Sequence, residues 1–346
     1  MQHITYGDMP WAPNFSVSVE GSDITDRIRE SLVGIKITDY GAAEKKSDQV
    51  TIAILSETLD LPKKGAKLSV AIGFGTELVD RGTYVVDALS STAASGARTI
   101  GITGRAFSKS NAYGHSTVQS QRLRSFDNIT LGDLVSTIAA EHGLTPRVPA
   151  SLANTVISHV DQINESDMNL MTRLAAGFGA VSKISHDYWM LVPRDGDTNF
   201  SGNPLPKMTI LRDMTTSWSY HNNSDHPDTT TPGNGTQIYS YVDSATGGIK
   251  HFTVGSGEPV EYLGGPAGYP SLAVAQSVAY AGSVAKVKKL KGMTITMPAT
   301  PEMLTLTAQC LITTSGFGTV EDADWKIGQL DIAFSKAGAT ITMELE

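Results

Sequence analysis

A single cysteine, Cys310, stands among 346 residues, which excludes an intramolecular disulfide and a cysteine-built zinc site and leaves core packing to hold the fold. Such usage suits a reducing cytoplasm. Positive charge is scarce too: 27 Lys and Arg face 35 Asp and Glu, for a net charge of −8. The visible basic cluster is Lys286, Lys288, Lys289 and Lys291. Non-specific nucleic-acid binding needs clustered cations that displace counterions, so this balance disfavours it. Long apolar runs are missing as well. The longest weakly polar stretch, 271–287, contains Gln276, three serines and Lys286 and makes a poor membrane span. Residues 1–15, with Gly7, Asp8, Pro10 and Pro13, lack the basic-then-apolar order of a signal peptide. No membrane insertion is expected.

Catalytic signatures are equally absent. The eight histidines are scattered, and no nucleophile elbow, paired-histidine zinc motif or phosphate-cradling loop occurs. Gly73-Phe-Gly75 and Gly316-Phe-Gly318 read as turn glycines without the strand–helix context of a nucleotide loop. Metal-ligand types crowd together in one place, as His221, Asp225, His226 and Asp228, within the polar loop 221–235. A metal site needs fixed geometry and supporting partners, for which this loop has no local device. The expectation is therefore no catalytic residue, no metal and no cofactor.

What is present is period-two patterning at both ends of the chain. Between 13 and 104, Val33, Ile35 and Ile37 alternate with polar or small residues, as do Val50, Ile52 and Ile54, then Leu68, Val70, Ile72 and Phe74, then Ile100 and Ile102. Antiparallel strands with one wet face follow from this, and a β-barrel closes so many edges most economically. From 105 to 204 helices enter. Thr130 caps one, with Asp133 three residues on and Leu131, Leu134, Val135, Ile138 and Ala139 on its apolar face before Gly143. A strand over 155–160, a second helix and a hairpin over 181–192 complete a small α+β domain, and 195–206 reads as a linker.

One strand is then expected over 208–218, and a long helix over 271–290, whose Ala273, Ser277, Ala281 and Ala285 let a neighbour approach closely. Its lysines suit the negative end of a helix dipole. The chain returns to strands with Leu304, Leu306, Ala308, Cys310 and Ile312 in alternation, then with 325–334 and 341–345, and Gly328 is placed for a bulge. Cys310 falls in the apolar parity, as a small buried hydrophobe. The expected class is mainly β with α+β parts: a first β-barrel at 1–104, an α+β domain at 105–204, a second barrel from 205–243 with 292–346, and a helical insertion at 244–291.

The stretch that organises this reading is 159–179. Asn164 and Ser166 are N-cap types, Glu165 and Asp167 put negative charge at a helix start, and Met168, Met171, Leu174, Ala175 and Phe178 recur at helical spacing, with Gly177 or Gly179 as the left-handed exit. The acids sit where a helix start wants them, with no base or nucleophile beside them. Asp161-Gln162, Asn164-Glu165-Ser166-Asp167 and Arg173-Leu174-Ala175 together resemble the signature run of the phage late control gene D protein family. Asp23-Ile24-Thr25, Thr38-Asp39 and Pro62-Lys-Lys-Gly65-Ala66 match that family in order and spacing near the start. Trp325-Lys-Ile and 340–346 resemble its closing hairpin. Thr300-Pro-Glu-Met-Leu departs from it by lacking a turn glycine.

The resemblance implies a structural baseplate hub of a contractile phage tail or tailocin and not an enzyme. In that reading three copies join a six-fold tail tube to a three-fold central spike, because a chain with two similar barrels presents six units when three copies close into a ring. The implied partners are the tail tube protein, the spike, other baseplate proteins and the tape-measure protein. DNA passes through the lumen without specific binding. The implied location is the virion baseplate, assembled in the host bacterial cytoplasm. Two alternatives are a hub-spike protein of a type VI-like secretion system, which would carry a needle-like β-repeat extension, and a wall-degrading tail enzyme, which would need paired carboxylates in a cleft.

Overall fold

The computed structural model describes residues 12–41, 47–94, 96–106, 117–185, 187–193, 196, 204–222, 235–243, 245–264, 268–269, 272, 275–276, 278–279 and 291–346. The first segment holds β1 (Pro13–Val19), β2 (Ser22–Asp23), a short α1 (Thr25–Arg29), β3 (Leu32–Tyr40), β4 (Gln49–Leu55), β5 (Lys67–Phe74), β6 (Glu77–Ala94) and β7 (Ala97–Arg105). Alternation appears as read in β4, where Val50, Ile52 and Ile54 are buried, and in β5, where Leu68, Val70 and Ile72 are. In β3 it fails at one place. Val33 is exposed and Leu32 buried, because a bulge shifts the β3–β4 register between Leu32 and Gly34.

The middle segment holds β8 (Gln121–Thr130), α2 (Leu131–Glu141), β9 (Thr145–Arg147), a short α3 (Ala150–Ala153), β10 (Val156–Ser166), α4 (Asp167–Gly177), β11 (Ala180–Ser185) and β12 (Tyr188–Pro193). Thr130 accepts a hydrogen bond from the Asp133 backbone N–H at 3.1 Å, and the five apolar residues read for α2 are all buried. At the start of α4 the cap is Ser166, which accepts from the Asn169 N–H at 3.2 Å. Asn164 instead sits at φ +50 in a bulge between Ile163 and Glu165, so the strand runs on to Ser166. The buried side of α4 is Asp167, Leu170, Met171 and Ala175. Periodicity alone missed Asp167 and Leu170, while Met168, Leu174 and Phe178 pack at the core's margin. These elements enclose their own core around Leu134, Ile138, Met171 and Trp189.

The last segment holds β13 (Lys207–Leu211), β14 (Ser217–Asn222), β15 (Gly235–Val242), β16 (Ile249–Ser256), β17 (Val260–Leu263), β18 (Lys291–Pro298), β19 (Leu311–Ser315), β20 (Asp324–Ser335) and β21 (Gly338–Leu345). Several expectations change here. The single strand over 208–218 is two, because a 3-10 turn at Arg212–Met214, with the Thr215 hydroxyl donating to the Arg212 carbonyl at 2.7 Å, sends β13 and β14 to different neighbours. The alternating run 304–310 is a buried turn rather than a strand. The Leu304 and Leu306 N–H groups fold back on the Thr300 and Met303 carbonyls, and Gln309 takes φ +79. The residues are buried in the parity read, Cys310 included, but on backbone that makes no ladder.

Residues 249–256 and 260–263, placed within a helical insertion, are strands of a three-stranded sheet with β15. The β-branched and aromatic run Ile249, Phe252, Thr253 and Val254 favours that outcome. Of the helix over 271–290, Leu272, Ala275, Gln276, Val278 and Ala279 are described and helical. Ala275 and Ala279, four residues apart, are buried in one small core with Tyr239. The expected row at Ala273, Ser277, Ala281 and Ala285 lies outside the described side chains, as do Lys286, Lys288 and Lys289. Lys291 opens β18, with its amine 4.8 Å from the centre of the Trp325 ring.

Strands from both ends of the chain form one sheet in the order β14-β18-β21-β20-β3-β4-β7-β6-β5-β1-β2, with β19 bridging β13 to β20. No pairing closes either strand group into a barrel among the described residues. The protein is mainly β, and one apolar core runs under both groups. The seam is β3–β20, six antiparallel pairs from Gln329↔Tyr40 to Phe334↔Ile35. At its end the Gly41 N–H donates to the Gly328 carbonyl at 2.7 Å, beside the β20 bulge placed at Gly328. Among the described residues no helix is long and apolar enough to cross a membrane.

Candidate functional site

The signature run folds around a buried charge. In β8, Arg122, Arg124 and Phe126 share a face by the two-residue period of a strand, and Arg122 and Arg124 pair in register with Glu165 and Gln162 of β10. The Ser166 cap turns the chain so that the Asp167 side chain enters this face with no exposure at all. Its carboxylate accepts from Arg124 at 2.7 Å, Arg122 at 3.0 Å and Gln162 at 2.8 Å, and His142 Nε2 lies 2.7 Å away. Glu141 takes the same two guanidinium groups at 2.8 and 2.6 Å. Burial works to raise the Asp167 pKa, but hydrogen bonds from Gln162 and His142 and the charges of Arg124 and Arg122 outweigh it, so the carboxyl is held below its ordinary range.

Glu141, His142 and Asp167 place ligand atoms within 4.8 Å of one another, close enough to hold a metal ion. Two arginines fill that role instead. Their guanidinium groups already balance the two carboxylates, and a divalent cation there would meet two fixed positive charges at hydrogen-bond distance from the same oxygens. The cluster joins β8, β10, α2 and α4. Its contacts hold these four elements to one another.

A second cluster links the α+β module to the long sheet. Lys183 of β11 places its amine 2.8 Å from Asp39, 2.9 Å from Asp48 and 2.9 Å from the Tyr40 carbonyl, matching its three N–H donors. Asp39, at the end of β3, also accepts the Ala308 N–H at 2.9 Å, and Asp48, just before β4, accepts the Tyr40 N–H at 3.0 Å. One cation serves two carboxylates. Burial raises both, yet Asp39 is held low by the Lys183 charge and hydrogen bond, the Ala308 N–H and Arg81. Asp48 is pushed up to about 7, chiefly by burial, with Asp39 adding to the rise and Lys183 opposing it. Asp39 of the Thr38-Asp39 pair, read as scaffold, thus supplies one of the two carboxylates of this junction.

On the outer face of the β8–β10 ribbon, His159 lies between Asp127 at 2.5 Å and Asp161 at 3.1 Å. Hydrogen bonds first to Asp127 and then to Asp161 hold its pKa above the ordinary value. Beside it, Leu123 and Ile163 face each other across the ribbon, both exposed. Of the four ligand types noted in the polar loop, His221 is an exposed strand residue opposite Gly292, while Asp225, His226 and Asp228 lie outside the described residues. The remaining motif residues do cap and turn work: Asp23 accepts the Thr25 N–H at 2.8 Å, and Gly65 takes φ +86. Sequence reading missed Lys183, Asp48 and the burial of Asp167. The strand-spaced Arg122 and Arg124 were the one available signal, since two cations on the inward side of a strand call for an acid.

No protein-family model matches the chain. It is 30% identical over 202 residues to the "Probable baseplate hub protein" of Escherichia phage 186, covering 58% of this chain and 50% of that protein. To the protein of the same description in Escherichia phage P2 it is 30% identical over 201 residues, with the same two shares. The chain spans about half the length of the curated relatives it matches. Its fold is similar to that of the tail protein from Neisseria meningitidis MC58, with a TM-score of 0.70 at 14% identity over 97% of this chain and 96% of the other. The 43 kDa tail protein of prophage MuSo2 from Shewanella oneidensis gives a TM-score of 0.68 at 15% identity over 97% of each chain. The E. coli c3393 protein, described as a component of the type VI secretion system, gives 0.55 at 8% identity over 95% of this chain and 76% of that one. These structural likenesses concern fold alone. The resemblance read from the signature run is borne out by the two hub proteins.

Proposed function

We propose that the chain is a structural baseplate hub of a contractile phage tail or tailocin, acting by assembly and not by catalysis. The observation that carries this reading is the sequence likeness to two hub proteins across more than half of the chain. In it, three copies form a homotrimer between a six-fold tail tube and a three-fold spike, around a channel for DNA, in contact with other baseplate proteins and the tape-measure protein. Two tube-like barrel domains belong to the proposal, one at 1–104 and one from 205–243 with 292–346, less β15, which pairs with β16 and β17 instead. Support comes from the seam β3–β20, which sets two groups of strands, antiparallel except for the parallel β13–β19 pair, side by side in one chain, so that three chains offer six. The net charge of −8 suits a lumen that DNA must cross without adhering. The ionic cluster around Asp167 binds β8, β10, α2 and α4 to one another, which suits a part that carries load.

The test is mass in solution by light scattering, with electron micrographs of the protein alone and with its spike. A trimeric ring is the expected result. A strict monomer at every concentration, with no ring when the spike is added, overturns the reading. A second reading, a hub-spike protein of a type VI-like secretion system, is favoured by the fold likeness to the E. coli protein. Assembly onto a type VI tube protein but not onto a phage tube would select it. Hydrolysis of purified peptidoglycan by the isolated chain, lost on one Asp or Glu substitution, would select the enzyme alternative.

A further inference from the structure

The α+β module and the long sheet do not share an apolar core: the cluster around Leu134, Met171 and Trp189 and the one around Ile52, Ile332 and Met343 have no residue in common. The side-chain links described between them are polar. One is the exposed pair Lys67–Asp187 at 3.8 Å, and a second, in the segment that leads out of β12, is the Lys326 amine donating to the Gly196 carbonyl at 2.8 Å. The third is Lys183, whose amine enters a socket made by Asp39, Asp48 and the Tyr40 carbonyl. The two carboxylates are buried and the Lys183 side chain keeps 21% of its surface in water, at a junction and not inside a core.

From this geometry we propose that Lys183 is a releasable latch, so that the α+β module swings away from the sheet when one side chain leaves its acidic socket. The physical argument has three parts. First, a buried ion pair recovers little net energy after desolvation, while losing one partner is costly, so such a group serves a two-position element better than it serves as glue. Second, opening tears no hydrophobic core, since each body keeps its own. Third, the neighbourhood is under-satisfied as it stands. Gln309, beside the loop that donates to Asp39, has both side-chain polar atoms buried without a hydrogen-bond partner, and so has Arg81 Nε. Water that enters on opening reaches groups that lack partners in the closed form.

The ionisable groups that act on the socket are Asp39, Asp48, Arg81, Tyr84 and Lys183. With Asp48 neutral, the remaining Lys183–Asp39 pair is matched charge for charge. With Asp48 ionised, the single Lys183 amine must serve two buried carboxylates, while Arg81 acts on Asp39. Deprotonating Asp48 therefore favours the open position, where its carboxylate is hydrated.

The experiment uses the full chain with spin labels at Val156→Cys and Leu55→Cys, both exposed positions in the two bodies, Cys310 being buried. Inter-label distances are measured for this protein and for Lys183→Met and Asp48→Asn in the same background, with amide exchange followed in both cores. The expected result is a narrow distance for the parent and a second, longer population in Lys183→Met, rising from under about a tenth to over about half of the molecules while both cores stay protected. Asp48→Asn, which keeps an acceptor oxygen and removes the second carboxylate charge, is expected to keep the narrow distance. An unchanged distribution in Lys183→Met overturns the proposal, as does loss of exchange protection in either core, which would make Lys183 a folding support. Broadening in Asp48→Asn equal to that in Lys183→Met also overturns it.

Discussion

Replacing Asp167 by Asn separates two physical roles for the acid that opens α4. If it acts only as a first-turn charge on the helix dipole, the substitution costs about 0.3–1 kcal/mol. The structure gives it another role, since the carboxylate is fully buried and meets Arg124, Arg122, Gln162 and His142 between 2.7 and 3.0 Å. Removing one partner of a buried ion pair costs about 3–5 kcal/mol. Two features lower that figure here. Arg122 and Arg124 keep 33% and 22% of their side-chain surface in water, and Glu141 remains to pair with both. The Asn amide still accepts at one atom, but its NH2 turns a donor toward donors. The loss expected is about 2–3 kcal/mol, between the net worth of a charged hydrogen bond and the full penalty.

Equilibrium denaturation followed by Trp189 fluorescence reads this core directly, because the indole lies 5.7 Å from the His142 ring. The pH dependence carries the same signature. A folded pKa below the unfolded value contributes stability that is present above about pH 4 and is lost as pH falls through the folded pKa, so the gap between wild type and variant narrows on acidification. A loss under about 1 kcal/mol, unchanged between pH 7 and pH 3, refutes the buried-ion account and returns Asp167 to the dipole role.

Asp48→Asn gives the opposite dependence. A carboxyl whose folded pKa is raised to about 7 binds a proton that the unfolded chain has already released, so wild-type stability falls as pH rises from about 4 to about 7. Melting temperatures of the variant are expected to be flatter across that window, and an unaltered slope counts against the shift. Gly41→Ala sets a Cβ 2.4 Å from the Gly328 carbonyl oxygen, backbone against backbone, and is expected to cost about 1–3 kcal/mol in urea unfolding. Retention of wild-type stability would mean that the β3–β20 seam yields there. Thr130→Ala removes the α2 cap and is expected to cost about 1 kcal/mol by the same assay, whereas Ser at that position restores most of it.

Local signals carried well where one neighbour decides the outcome. The α2 cap and its five buried residues, the end of α2 at Gly143, the hairpin read over 181–192 and the bulge at Gly328 were legible, because each depends on residues within one turn or one strand pair, while of the two exits offered after α4, Gly177 and Gly179, it is Gly179 that takes φ +65. Alternation also marked which of Leu304, Leu306, Ala308 and Cys310 are buried, and still misnamed their backbone. A period of two reports sidedness toward a core. It cannot report whether a partner strand is present to pair with.

Composition and short-range period were enough for the mainly β class and for the two longer helices of the middle segment. Tertiary structure alone decided that strands from the two ends join at β3–β20, that Asp167 is an inward charge held by two arginines, and that Lys183 finds Asp39 from 144 positions away. The physical reason is common to all three. A charge or an edge strand is stable inside only when its complement arrives from a distant part of the chain, and nothing in the local residues specifies which complement that will be.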